Sequence, residues 1–219
     1  LDIRTWKKIH SKIVLHLNLN SCISFGIKLM RAYAARGQTS ITRQIFDRIP
    51  ERNVVIFNVM IRSYVNNHLY HDALFMFKSM NSSNTNPDYY TFPCILKACS
   101  ASMDLRVGLQ VHTQVLKMNL DGNLYVGNGL IAMYGKCGSL TGARSVLDEM
   151  PRRDVVSWNS MVAGYAQNGG FNDALEVCRE MQTFGLNPDA GTLASLLPAV
   201  TNTSSENVAF VEDMFMKVR

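Results

Sequence analysis

Residues 155–189 read VVSWNSMVAGYAQNGGFNDALEVCREMQTFGLNPD, and 101 positions earlier residues 54–88 read VVIFNVMIRSYVNNHLYHDALFMFKSMNSSNTNPD. Both stretches are 35 residues long, open on Val-Val and close on Asn-Pro-Asp. The likeness continues towards the N-terminus. Sliding the sequence by 101 aligns 23–88 with 124–189 without a gap, and 21 of the 66 positions are identical, against the ~6% expected by chance. Gly26/Gly127, Tyr33/Tyr134, Gly37/Gly138, Arg43/Arg144, Pro50/Pro151, Asn58/Asn159 and Asp88/Asp189 are among them. A fixed period of this kind marks an array of supersecondary units.

The 101-residue period divides unequally. Residues 23–53 and 124–154 are 31 residues each and end in DRIPERN and DEMPRRD, and 89–123 is a further 35. Partial copies occupy 1–22 and 190–219. Within each unit the apolar spacing is helical: Phe57, Met60, Ile61 and Tyr64 fall at i, i+3, i+4 and i+7, followed by Ala73, Leu74, Phe77 and Met80. Trp158, Met161, Val162, Tyr165 and then Ala174, Leu175, Cys178, Met181 repeat both stripes. Asn66-Asn67 and Asn168-Gly169-Gly170 interrupt them, and Pro87 and Pro188 end them, as residues that stop helices. Each unit is therefore expected to be an αα-hairpin. One hairpin cannot bury both stripes, so neighbours stack into an all-α solenoid with Met and Trp filling its core.

Composition agrees with this reading. The 219 residues are 47% hydrophobic and 18% charged, enough for a sizeable core. A net charge of +5 permits a polyanionic partner without demanding one. Cys22, Cys94, Cys99, Cys137 and Cys178 show no C-x-x-C spacing, which points to free thiols in a reducing compartment. No apolar run reaches the ~18 residues a membrane span needs. The chain starts at Leu1 with neither signal peptide nor Arg/Ser-rich transit segment, so any organellar targeting segment is expected to have been removed or left out.

In these features the chain resembles the plant pentatricopeptide family, in particular the subclass with alternating P, L and S repeats. Residues 54–88 and 155–189 resemble P-type repeats. The 89–123 stretch, YYTFPCILKACSASMDLRVGLQVHTQVLKMNLDGN, resembles an L-type, and 124–154, LYVGNGLIAMYGKCGSLTGARSVLDEMPRRD, resembles the 31-residue S-type, as does 23–53. Residues 1–22 and 190–219 then read as partial L-type repeats. A tetratricopeptide array is also built of hairpins, but its uniform period of 34 fits poorly. The resemblance implies a right-handed superhelical solenoid that binds single-stranded RNA at one base per repeat.

With each repeat's first residue as position 1, core positions 4, 7, 8 and 11 centre on one side of a helical wheel, and positions 2, 5, 9 and 13 on the opposite side. Asn58, Asn128 and Asn159 all stand at position 5. A side-chain amide offers a donor and an acceptor to the Watson–Crick edge of an unpaired base. Asn near a helix start also serves as a cap, the competing explanation. Each of the three is matched by an Asp at the last position, namely Asp88, Asp154 and Asp189. The resemblance implies that these two positions jointly select the base, Asn with Asp preferring uracil over cytosine. Ile27 with Asn53 departs from the pattern and offers no amide, and Pro93 with Asn123 lacks a polar head, so both should discriminate weakly. The implied site is N-U-N-U-U-N.

At position 2, Val55, Tyr90, Tyr125 and Val156 would sandwich bases, or else serve only hairpin packing, with Ser24 and Gly191 at the ends. Arg31, Arg62 and Lys97 share position 9, and Lys136 at position 13 extends the row, a phosphate-screening set or simply solvated charges.

Catalytic patterns are missing. None of His10, His16, His68, His71 and His112 begins an H-x-E, and the zinc deaminase signature is not in this chain. His10 and His112 share a context that reads as packing. Gly135-Lys136 lacks the flanking residues of a phosphate-binding loop and reads as the turn of a 31-residue repeat. No cofactor, metal or enzyme activity is expected.

The leading function is thus sequence-selective RNA binding in a mitochondrion or chloroplast. The resemblance implies a role in organellar cytidine-to-uridine editing, with any deaminase outside these residues. The alternative is a protein-binding scaffold whose L-type repeats contact multiple organellar RNA editing factors. Exposed repeat ends would also favour self-association.

Overall fold

A computed structural model describes residues 23–200 together with Ala209, Val211, Glu212, Met214 and Met216. The expected packing role of His10, the thiol of Cys22 and the copy at 1–22 lie outside the described residues.

Eleven helices run through 23–200 with no strand among the described residues. They fall into two compact units, residues 1–91 and 92–219. In the first, α1 (Ile23–Ala34) pairs with α2 (Thr39–Arg48), and α3 (Val54–Asn66) pairs with α4 (Tyr70–Ser82). α3 also packs on α1 and α2, which stacks one hairpin on the other.

The second unit takes α5 (Thr91–Ser102) from Phe92 onward, α6 (Leu105–Lys117), α7 (Leu124–Lys136) and α8 (Leu140–Glu149). α9 (Val155–Gln167), α10 (Phe171–Thr183) and α11 (Ala190–Val200) complete it. α7 pairs with α8 and α9 with α10, and α9 lies between α7 and α11.

The apolar stripes explain the stacking. Phe57, Met60, Ile61, Ala73, Phe77 and Met80 are buried in the first unit, and Trp158, Met161, Val162, Ala174, Leu175, Cys178 and Met181 in the second. Burial pushes the thiols of Cys99 and Cys178 up to about 12, so both stay protonated packing groups.

The turn inside every hairpin uses a left-handed residue at the same register: Gly37, His68, Met103, Gly138 and Gly169 have φ of 70°, 60°, 51°, 76° and 78°. The three glycines adopt it freely, and His68 and Met103 do so at a cost. A second left-handed residue follows the second helix at Asn84, Asn119 and Gly185, in the 35-residue stretches alone. In the 31-residue stretches the second helix has 10 residues rather than 13 and leaves through an extended residue, Ile49 or Met150. There an arginine side chain satisfies the helix end. Arg52 donates to the carbonyls of Phe46 (3.1 Å) and Asp47 (3.0 Å), and Arg153 donates to those of Leu147 and Asp148 (both 2.6 Å).

Gly135 and Lys136, expected in a turn, instead form the last residues of α7, and the chain turns at Cys137-Gly138. Gly135 is buried against Gly164 of α9, and that helix contact extends the helix past the point where the glycine suggests a break.

His112 is half-buried on α6, its Nδ1 2.8 Å from the Tyr134 hydroxyl. Burial lowers its pKa, against the opposing pull of Glu149 and Asp121. A histidine depressed on folding contributes stability that is complete above its unfolded pKa of ~6.5 and lost as pH falls through the folded value. The unaltered chain is therefore expected to lose more Tm between about pH 7.5 and about pH 5 than His112→Phe does. Equal losses in thermal melts would refute this.

Candidate nucleic-acid interface

From α3 onward each first helix starts on a capping residue, and this places the candidate site. Asn53 caps α3 through the Ile56 N–H, Asn123 caps α7 through the N–H groups of Tyr125 and Val126, and Asp154 caps α9 through the Ser157 N–H. Asp88 accepts from the N–H groups of Tyr90 and Thr91, and Asp189 from that of Thr192. The capping role thus belongs to the last residue of each stretch, and the position-5 asparagines do something else.

What they do is the same three times. Asn58 Nδ2 donates to Asp88 Oδ1 at 2.9 Å, Asn128 Nδ2 to Asp154 Oδ1 at 3.2 Å, and Asn159 Nδ2 to Asp189 Oδ1 at 2.9 Å. These partners are 30, 26 and 30 residues apart in the chain. The three asparagines are half-buried rather than projecting freely outward, and the hydroxyls of Thr91, Ser157 and Thr192 stand against one side of their amides. The bonds from the three asparagines and from the capping N–H groups of Tyr90, Thr91, Ser157 and Thr192 all fall on Oδ1.

Burial would raise the Asp154 carboxyl, but hydrogen bonds from the Ser157 N–H, Asn128 and the Val156 N–H outweigh it and hold it low. Asp189 is lowered chiefly by the Thr192 N–H, with Asn159 and the Gly191 N–H adding to it against burial. Both are ionised acceptors at neutral pH.

Asn53 and Asn123 are occupied as caps, and Ile27 and Pro93 are half-buried. Val55, Tyr90, Tyr125 and Val156 are exposed at 37%, 63%, 69% and 55%. Arg31, Arg62, Lys97 and Lys136 are exposed, each on the first helix of its hairpin. Among the described residues no group of His, Cys, Asp and Glu could hold a metal ion, and no helix is long and apolar enough to cross a membrane.

Sequence reasoning passed over three hydroxyls in the same cluster, Thr91, Ser157 and Thr192. Each is buried and bonded to both the asparagine and the aspartate beside it. Their signal was present as Ser or Thr three residues after each aspartate.

The model of the PPR repeat family matches residues 52–101 and 153–202, and that of the PPR repeat matches 128–155. A pentatricopeptide repeat-containing protein of Arabidopsis thaliana is 58% identical over 218 residues, covering 99% of this chain and 32% of that protein. Another from that plant, named chloroplastic, is 35% identical over 195 residues, covering 88% and 37%, and one named mitochondrial is 36% identical over 194, covering 89% and 19%. The chain thus spans between about a fifth and two fifths of the length of these curated relatives. Its fold matches the crystal structure of the maize pentatricopeptide repeat protein PPR10 with a TM-score of 0.67, at 22% identity and covering 87% of this chain and 28% of that one. PPR10 in complex with an 18-nt psaJ RNA element matches with a TM-score of 0.71, at 20% identity and covering 95% and 32%.

Proposed function

From the premise that the chain belongs to the PPR repeat family, we propose that it binds single-stranded RNA selectively, reading uridine at three hairpins. The observation that carries this is the Asn–Asp hydrogen bond repeated three times. It sets a free amide N–H of the asparagine beside a free carboxylate oxygen, a donor next to an acceptor. Uracil carries its ring N–H between two carbonyl oxygens, so either flank fits that order. Cytosine fits it one way only, through N3 and its amino group. The site read is N-U-N-U-U-N, with 54–88 and 155–189 acting as P-type repeats, 23–53 and 124–154 as S-type and 89–123 as L-type. Val55, Tyr90, Tyr125 and Val156 supply stacking faces. The test is affinity for oligonucleotides with uridine exchanged for cytidine position by position. Weakening at the second, fourth and fifth positions supports the reading, and equal affinity for all refutes it.

Arg31, Arg62, Lys97 and Lys136 contact the phosphates in this reading. Charge reversal of Arg62 and Lys97 should lower the slope of log affinity against log salt by about 1.4, at ~0.7 per phosphate on a single strand. An unchanged slope would assign them to solvent.

The protein acts in a mitochondrion or chloroplast, as the names of relatives suggest, and forms the recognition part of an RNA-processing or cytidine-to-uridine editing factor. A protein-binding role is the second reading, favoured by Leu109 and Leu116, each 48% exposed two turns apart on α6. Organellar editing factors would be its partners.

A further inference from the structure

We propose that Thr91, Ser157 and Thr192 are specificity-determining positioning residues, each orienting the base-reading amide of the hairpin before it. The proposal rests on the base reading above and adds a third member to each pair. It begins with a question of proton supply. The hydroxyl oxygen of Thr91 lies 2.7 Å from Asn58 Oδ1 and 2.9 Å from Asp88 Oδ1. Ser157 lies 2.6 Å from Asn128 Oδ1 and 3.0 Å from Asp154 Oδ1, and Thr192 lies 2.5 Å from Asn159 Oδ1 and 3.2 Å from Asp189 Oδ1. A hydroxyl has one proton. Each aspartate Oδ1 already accepts a backbone N–H and the asparagine Nδ2–H, and the asparagine oxygen is nearer every time. The proton therefore goes to the asparagine.

The hydroxyl oxygen in turn accepts the aspartate's own N–H, at 3.0 Å for Asp88, 3.1 Å for Asp154 and 3.0 Å for Asp189. Its one proton is directed at the amide oxygen, which favours the amide with oxygen towards it. Turning the amide over would also set Asn Oδ1 against the carboxylate. Hydroxyl and carboxylate hold the two ends of one amide, and the remaining N–H is fixed relative to them in each hairpin. With the hydroxyl gone, a single bond to the aspartate is left and the amide swings about it.

The sequence distribution agrees. The hydroxyl is present three residues after Asp88, Asp154 and Asp189, whereas Ile56 and Val126 stand three residues after Asn53 and Asn123, where no asparagine–aspartate pair exists. Both are fully buried.

The test uses the whole chain with Thr91→Val, Ser157→Ala and Thr192→Val, singly, against the exchanges Thr91→Ser, Ser157→Thr and Thr192→Ser. Affinities are measured for the N-U-N-U-U-N oligonucleotide and for versions with cytidine at the matched position. Removing a hydroxyl should reduce the uridine-over-cytidine ratio about 3- to 10-fold at its own position, the worth of one hydrogen bond, and the exchanges should keep it. A purely structural hydroxyl would weaken both oligonucleotides equally and leave the ratio intact, which would overturn the proposal. A gain-of-function pair removes dependence on the stability of those variants: Pro93→Asn with Asn123→Asp, compared with the same two plus Val126→Thr. The added hydroxyl should raise uridine preference at the third position, and no gain would count against it. Absence of any uridine preference in the unaltered chain would refute the base reading itself, and this proposal with it.

Discussion

Replacing Asn58, Asn128 and Asn159 together by alanine is expected to weaken binding to a uridine-bearing oligonucleotide about a thousandfold and to erase its preference over cytidine. In the proposed reading each asparagine supplies the amide N–H that meets the base, and each donates to its carboxylate neighbour. Losing one such bond beside a charge costs about 1.4 kcal/mol, a factor of ten, and three independent hairpins multiply. The fold should survive, because the caps of Asp88, Asp154 and Asp189 do not pass through the asparagines. Alanine is also the better helix former. Fluorescence anisotropy checks the affinity and circular dichroism the fold. Binding that persists unaltered in a folded variant would end the base-reading account and favour the protein-binding role.

The largest stability effect is expected at the crossing of α7 and α9. A Cβ on Gly135 would stand 3.0 Å from the Gly164 Cα, backbone that cannot yield as a side-chain tip can. The Asn168 amide ties the same crossing by donating to the Gly135 carbonyl at 2.9 Å and the Gly164 carbonyl at 2.7 Å. Gly135→Val must push the helices apart, which breaks that bridge and loosens the packing around Met161 and Ile131. The cost should be about 3 kcal/mol, lowering Tm by roughly 6–12 °C for a chain of this size. A thermal melt measures it, and a shift under about 2 °C would mean the helices part freely.

The hairpins were legible because their causes are local. An apolar residue every third or fourth position, a breaker, then a second stripe describe helices whatever surrounds them, and the 101-residue period announces that neighbours supply the missing core. Position 5 and the last position of each stretch were also legible as a recurring pair, Asn58 with Asp88 and its two counterparts. The turn of 155–189 was visible at Gly169, whereas that of 124–154 was expected at Gly135-Lys136 and falls at Cys137-Gly138, and no breaker marked Met103, which adopts φ 51°.

Tertiary structure alone decided the rest, since the remaining contacts join residues that no local period relates. It brought amides and carboxylates 26 to 30 residues apart into hydrogen bonds, and assigned helix capping to the aspartates rather than the asparagines. It also recruited Thr91, Ser157 and Thr192 from the following hairpin. It kept Gly135-Lys136 helical, against the breaking tendency of glycine, by burying that glycine on Gly164. The sequence by itself determined which side chains recur at each register of the array. Which of their atoms remain free for a ligand depends on tertiary contacts, because Thr91, Ser157 and Thr192 occupy one side of each pair.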